Sequence, residues 1–217
     1  MNFKNFSMKR CLMSFFGIAI TSASIALFKT ASLGTDPFTT LGLGIINATG
    51  LHYSIVYTLE NAILLAAVFF LDRHFIGIAT FINLAIAGVI TEACFNLLQR
   101  LLPAPGIAVR IVLLLSGIVI QCFAASLYYT ADLGVSSYDA VALTAAEKTK
   151  FPFRACRITS DLLCTALGFA MGAVVGVGTV ITAFFMGPLI EVFNKTVSRP
   201  LLYGKNADKG AAAESTK

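Results

Sequence analysis

Apolar residues run through this chain in long blocks. Six runs approach the roughly 20 residues a helix needs to cross a bilayer: about 11–29, 53–71, 75–98, 108–128, 158–175 and 177–195. The polar breaks are short. Asp72, Arg73 and His74 separate the second run from the third, and little more than Gly176 and Gly178 separates the last two. Links that short make neighbouring helices antiparallel. The pattern predicts an all-α membrane protein.

Two further segments are apolar or small on most faces but too short to span. Each follows a copy of one turn: "ASLGTDPF" at 31–38 returns as "ADLGVSSY" at 131–138. At an offset of 100, Arg10, Gly17, Ile18, Ile20, Leu27, Thr30, Ala31, Leu33 and Gly34 all recur. After a one-residue slip, "GIAT" at 77–80 faces "GVGT" at 176–179, Gly88 faces Gly187, and Glu92 faces Glu191. Such internal repetition bears on architecture before anything else. The chain divides into an N-terminal segment 1–10, a first membrane repeat 11–100, a second 108–197, and a polar tail 198–217 whose low complexity predicts disorder. Three spans per repeat is odd, so the second repeat enters from the opposite side. The expected fold is about six transmembrane helices in two inverted three-helix repeats, each with a short extra half-helix. That architecture is common among secondary transporters.

The half-helices carry start signals. Thr35 or Asp36 can cap the first, with Pro37 at its first position. Ser136 with Asp139 three residues on is a capping-box pattern for the second. Re-entrant helices buried in protein or beside a water cavity account for their apolar faces. Interfacial helices joining the spans are the alternative.

Charge orients the chain. With the N-terminus inside, thirteen Lys and Arg fall on the inner side and only Lys29, Arg100 and Arg110 on the outer. Both termini are therefore expected in the cytoplasm. The basic, then apolar start of residues 1–30 also resembles a signal peptide. Its match to an internal segment argues against cleavage. Composition agrees with a membrane class: 57% of residues are hydrophobic and 12% charged, against about 25% charged in soluble domains. The net charge of +5 then belongs to cytoplasmic loops, not to nucleic-acid binding. The bilayer is the expected partner, and homo-oligomerisation is left open.

Candidate chemistry lies in polar residues within the runs, where an ionisable side chain costs at least about 2.5 kcal/mol. Glu60, Glu92, Asp161 and Glu191 are candidates for ion coupling, with Lys29 a conceivable partner for Glu60. Glu60 and Asp161 sit at near-equivalent places in the second and fifth runs. Asp36, Pro37, Ser136, Ser137 and Asp139 stand at half-helix starts, where free N–H groups would hold an anionic group or a carbonyl. Thr80 and Thr179 join these as substrate-binding candidates; they share helix faces with Gly88 and Gly187, where small residues also serve close helix packing. Cys11, Cys94, Cys122, Cys156 and Cys164 have no metal-ligand or disulfide spacing. His52 and His74 stand alone, so no metal and no cofactor is expected. Motifs for hydrolases, zinc proteases and nucleotide enzymes are missing, and no enzyme is expected.

The turn "LGTDPF" after the first run, "GIAT" and "GVGT" opening later runs, and the two related halves resemble the YitT/YczE-type bacterial integral membrane proteins over about residues 8–197. Thr39 departs from that pattern, which often has an acid after the first turn's aromatic; Asp139 keeps it in the second half. The resemblance implies a multi-pass protein of the bacterial plasma membrane and names no substrate. The readings that follow are a transporter of a small solute or ion, or a non-transporting accessory or assembly factor.

Overall fold

The computed structural model describes residues 7–71, 77–134, 136–149, 151 and 153–204. Its helices are α1 (Met8–Ala31), α2 (Pro37–Thr49), α3 (Tyr53–Leu71), α4 (Ile78–Leu101), α5 (Ile107–Ala131), α6 (Ser137–Thr149), α7 (Phe153–Ala170) and α8 (Val177–Phe193). The last continues through a π-helical turn (Asn194–Ser198) into α9 (Arg199–Tyr203). No strand occurs among the described residues.

Among the described residues, five stretches are long and apolar enough to cross a membrane: α1, α3, α4, α5 and the continuous stretch from α8 to α9. The expected span at 158–175 is not among them. Helix α7 begins earlier, ends at Ala170, and carries Arg154, Arg157 and Asp161. The disorder expected from 198 onward does not hold for residues 198–203. Ser198 is fully buried, its hydroxyl 2.6 Å from that of Ser126 on α5, and α9 is helical. Residues 1–6, 205–217 and the Asp72–His74 link lie outside the described residues.

Helices α1 and α5 form the central pair and run antiparallel, and their contacts recur at the offset of 100. Gly17 backs onto Tyr128, and Gly117 onto Phe28; a methyl on either glycine would lie within 2.9 Å of the facing side chain. Arg10 at the start of α1 donates to Ala131 O at the end of α5 (3.0 Å). Arg110 at the start of α5 donates to Ala31 O (2.5 Å) and Ser32 O (2.6 Å) at the end of α1. Each guanidinium thus meets carbonyls that a helix end leaves unpaired, at the negative pole of the helix.

Both helices stop in the same way. Ser32 and Asp132 take left-handed φ of 48° and 51°, followed by Gly34 and Gly134 at 102° and 108°. The two loops then dock reciprocally. Gly178 N at the start of α8 donates to Leu33 O (2.9 Å), and Ala79 N at the start of α4 donates to Leu133 O (3.1 Å). Gly176 and Gly77 allow this approach. A methyl on Gly176 would run into the carbonyl of Leu33, and one on Gly77 into that of Leu133. Past the loops the exchange continues, with α2 packed on α7 and α6 on α3. Gly44 and Gly168 let α2 and α7 touch backbone to backbone.

Replacing Gly77 or Gly176 by Ala is expected to cost about 1–3 kcal/mol through overpacking. Gly106, with open space around its Cα, is the control. Thermal unfolding in detergent checks this: the melting midpoint falls by about 2–12 °C for either docking glycine and stays put for Gly106→Ala.

Candidate functional site

The short helices α2 and α6 meet at their N-termini. Phe38 and Tyr138, the second residue of each, stack with ring centroids 4.9 Å apart and planes at 23°. A cavity of about 740 Å³ opens beside this stack. Its wall includes Asp36, Tyr57, Asn61, Asn83, Gln121, Tyr128, Tyr129, Asp139, Arg157 and Asp161, and its apolar part includes Ile18, Ile25 and Ala87.

Each N-terminus is closed by its own residues. Asp36 caps α2, its Oδ1 accepting from Thr39 N (3.1 Å), with Pro37 at the first helical position. Ser136 Oγ accepts from Asp139 N (3.1 Å) and donates to Asp139 Oδ2 (2.8 Å). The donors expected to hold an anionic group are therefore already engaged by carboxylate and hydroxyl. Ser137 is buried beneath this cap and does not line the cavity.

The strongest electrostatic feature is Arg157. Its guanidinium bonds Asp139 Oδ1, its Nε stands 3.2 Å from Asp161 Oδ1, and it lies 4.5 Å from the centre of the Tyr138 ring. Tyr138 donates to Asp161 Oδ1 (2.6 Å), and Tyr129 to Asp139 Oδ2 (2.8 Å). Two carboxylates, one guanidinium and two phenols thus form a connected network. In an apolar setting such a network is stable only when every member is paired. Arg157 is one of the thirteen inner-side Lys and Arg, which the charge pattern assigns to cytoplasmic segments. The available signal was its spacing four residues before Asp161, which places both on one helix face.

The first half presents neutral groups at the matching places. The starts of α3 and α7 align at the offset of 100, so Asn61, not Glu60, corresponds to Asp161, and Tyr57 to Arg157. Asn61 donates to Tyr57 O (2.9 Å), and Tyr57 donates to Asn83 Oδ1 on α4 (2.7 Å). Glu60 is buried off the cavity wall, its carboxylate pressed against Gly42 of α2, and its Oε1 has no hydrogen-bond partner. Lys29 is not its partner. The ammonium sits over the rings of Tyr53 (4.0 Å) and Phe95 (4.2 Å).

The remaining candidates lie elsewhere. Thr80 and Thr179 are buried at the two docking points, their hydroxyls 3.3 and 3.5 Å from Gly77 N and Gly176 N. Neither lines the large cavity. Glu92 holds the start of α3, accepting from Ser54 N (3.3 Å) and pairing with His52 Nδ1 (2.9 Å). His52, read as solitary, has that partner. Glu191 is on the cavity rim, 66% exposed and paired with Lys195 at 2.6 Å. The two glutamates that match in sequence thus occupy different surroundings.

The helix pairs carrying them differ likewise. Helix α3 packs along α4; a methyl on Gly88 would lie 3.1 Å from Ser54 Cα and 3.3 Å from Tyr57 Cδ1. Helices α7 and α8 do not pack along each other among the described residues, and Gly187 has nothing within 4 Å of where a methyl would stand. A second, apolar recess of about 110 Å³ lies between them, lined by Leu162, Thr165, Val180 and Phe184.

Removing the guanidinium leaves two carboxylates uncompensated, which costs about 3–5 kcal/mol for a buried pair. Arg157→Met is thus expected to destabilise strongly, and Arg157→Lys to recover only part of the loss, because one ammonium cannot reproduce the fork. Adding Asp139→Asn and Asp161→Asn to Arg157→Met should restore stability above the single variant. Unfolding midpoints of the four proteins check this.

Residues 8–195 match the family described as "Family of unknown function (DUF6198)". The chain is 24% identical over 203 residues to the "Uncharacterized membrane protein YczE" of Bacillus subtilis, covering 93% of both chains. It is also 24% identical over 187 residues to a Haemophilus influenzae protein named "Uncharacterized protein", covering 85% of this chain and 83% of the other. No solved structure matches. With apolar helices of spanning length and a family match over most of its residues, the chain belongs to the DUF6198 family, of YczE type, and is a multi-pass membrane protein.

Proposed function

We propose that the chain is a transporter of a small solute, built as an inverted repeat, in which two gaps open in turn onto one central cavity. The observation that carries this reading is the unequal state of equivalent helix pairs: α3 is closed on α4, while α7 stands apart from α8. In an inverted repeat either pair can take either state. The second conformation then has α8 closed on α7, with Gly187 against residue 154, as Gly88 now lies against Ser54. Glu191 leaves Lys195 for the start of α7, as Glu92 now holds the start of α3. Helix α4 leaves α3, the Tyr57–Asn83 bond breaks, and the cavity opens to the other side. Rocking of one repeat against the other around a fixed site is the usual form of alternating access.

Local chemistry favours the movement. Pro188 follows Gly187 inside α8. It supplies no N–H to the carbonyl four residues back, so the helix bends there at low cost. The excess of Lys and Arg orients the chain with both termini in the cytoplasm of a bacterial inner membrane. The α7–α8 mouth then faces inward and the described conformation is inward-open. Glu60, buried with no ion pair among the described residues, and Asp161, inside the network, are the coupling candidates. Glu92 and Glu191 act as latches at the two mouths.

The test starts from a variant with all five cysteines replaced, carrying Ala183→Cys on the cavity wall. Sided labelling with a membrane-impermeant maleimide is read before and after cross-linking. An Arg154→Cys/Gly187→Cys staple should abolish cytoplasmic labelling of position 183 and permit it from outside. A Ser54→Cys/Gly88→Cys staple should preserve cytoplasmic labelling. Labelling from one side only, whichever staple is closed, contradicts alternating access.

A further inference from the structure

We infer that the cavity takes a protonated primary amine carried on a largely apolar body, with Asp36 as its counter-ion. The inference rests on reading the cavity as a solute site. It starts from charge. Asp36, Asp139, Asp161 and Arg157 are on the wall, together with rim Glu191, which Lys195 pairs. Arg157 serves both Asp139 and Asp161. Asp36 forms no ion pair among the described residues, and its Oδ2, shielded from solvent, has no hydrogen-bond partner. An anion entering here meets capped helix N-termini, an engaged guanidinium and three carboxylates. A cation meets, in Asp36, a wall carboxylate with no ion pair among the described residues, whose shielded Oδ2 reaches it after a small rotation of the side chain.

The same wall says what kind of cation. An acceptor lacking a donor calls for N–H groups, which a quaternary ammonium does not have. Tyr128, a buried residue on the same wall, brings a second shielded oxygen, its hydroxyl, with Ser136 as its polar neighbour. An –NH₃⁺ group has three donors to distribute between such oxygens. Phe38 and Tyr57, edge to face at 6.0 Å, add ring surface that attracts positive charge. Beyond the polar end, Ile18, Ile25, Ala87 and Leu143 receive an apolar body, and the volume suits a ligand larger than a metal ion. No group of three His, Cys, Asp or Glu with metal-binding geometry occurs among the described residues.

The experiment measures equilibrium binding to the purified full chain in detergent with three probes of one shape: tryptamine, tryptophol and indole-3-propionate. Tryptamine should bind at least about tenfold more tightly than the alcohol or the acid, the worth of one charge-assisted hydrogen bond. Asp36→Asn should bring tryptamine to the level of tryptophol while leaving tryptophol unchanged, and Asp36→Glu should retain the preference. The order of the three probes on the unaltered chain needs no variant to fold. Equal or tighter binding of the acid, no binding of the amine, or amine binding unaffected by Asp36→Asn overturns the inference. Amine binding in a chain whose staples leave accessibility unchanged removes the transport reading alone; responsive staples without amine binding remove this inference alone.

Discussion

Backbone that leaves a helix within apolar surroundings still needs partners for its carbonyls, and the rest of this structure follows from how two loops find them. Leu33 O and Leu133 O accept from the backbone of Gly178 and Ala79, each in the opposite half of the chain. Irregular backbone is tolerated at membrane depth only where protein or water satisfies it. That contact requires glycine at 77 and 176 to admit the carbonyls, and a left-handed turn at 34 and 134 to present them. With the loops fixed, α2 and α6 begin where their first aromatic rings stack. The cavity is the space left beside that stack, so neither half can form it alone.

The halves share a scaffold and differ in charge. At matching places the second half has Tyr138, Asp139, Arg157 and Asp161, where the first has Phe38, Thr39, Tyr57 and Asn61. The second half places two carboxylates and the guanidinium they share on the cavity wall, while the first half contributes Asp36, which forms no ion pair among the described residues. On the proposed reading, duplication gives a site that can be approached from two sides. Divergence of the two linings gives it a polarity that a symmetric site lacks.

Much of this was legible in the sequence because it depends on residue types that backbone geometry demands. The doubled turn, the glycine pairs and the caps at Asp36–Pro37 and Ser136–Asp139 are of that kind. What was not legible depends on which way a side chain faces. Arg157 looks like a loop cation until α6 is seen to bring Asp139 to it from eighteen residues away. Glu92 and Glu191 look equivalent because spacing records position along a helix. Whether a neighbouring helix lies against that position is a property of the assembled fold. Glu60 differs from its matched residue, Ser160, for a related reason: Gly42 in the facing helix leaves room for its carboxylate, and only packing reveals that room.

If the two helix gaps are alternatives, distances across both in the same preparation will show it. Spin labels at Ile55 and Leu97 span α3 and α4 from exposed positions, and labels at Ala155 and Thr196 span the corresponding places of the second half. Each pair is measured by pulsed electron resonance in lipid, across conditions that shift the conformational balance. Alternating gaps move oppositely: whatever shortens the second distance lengthens the first. Distances that change together, or a single unchanging distance in each pair, would contradict it.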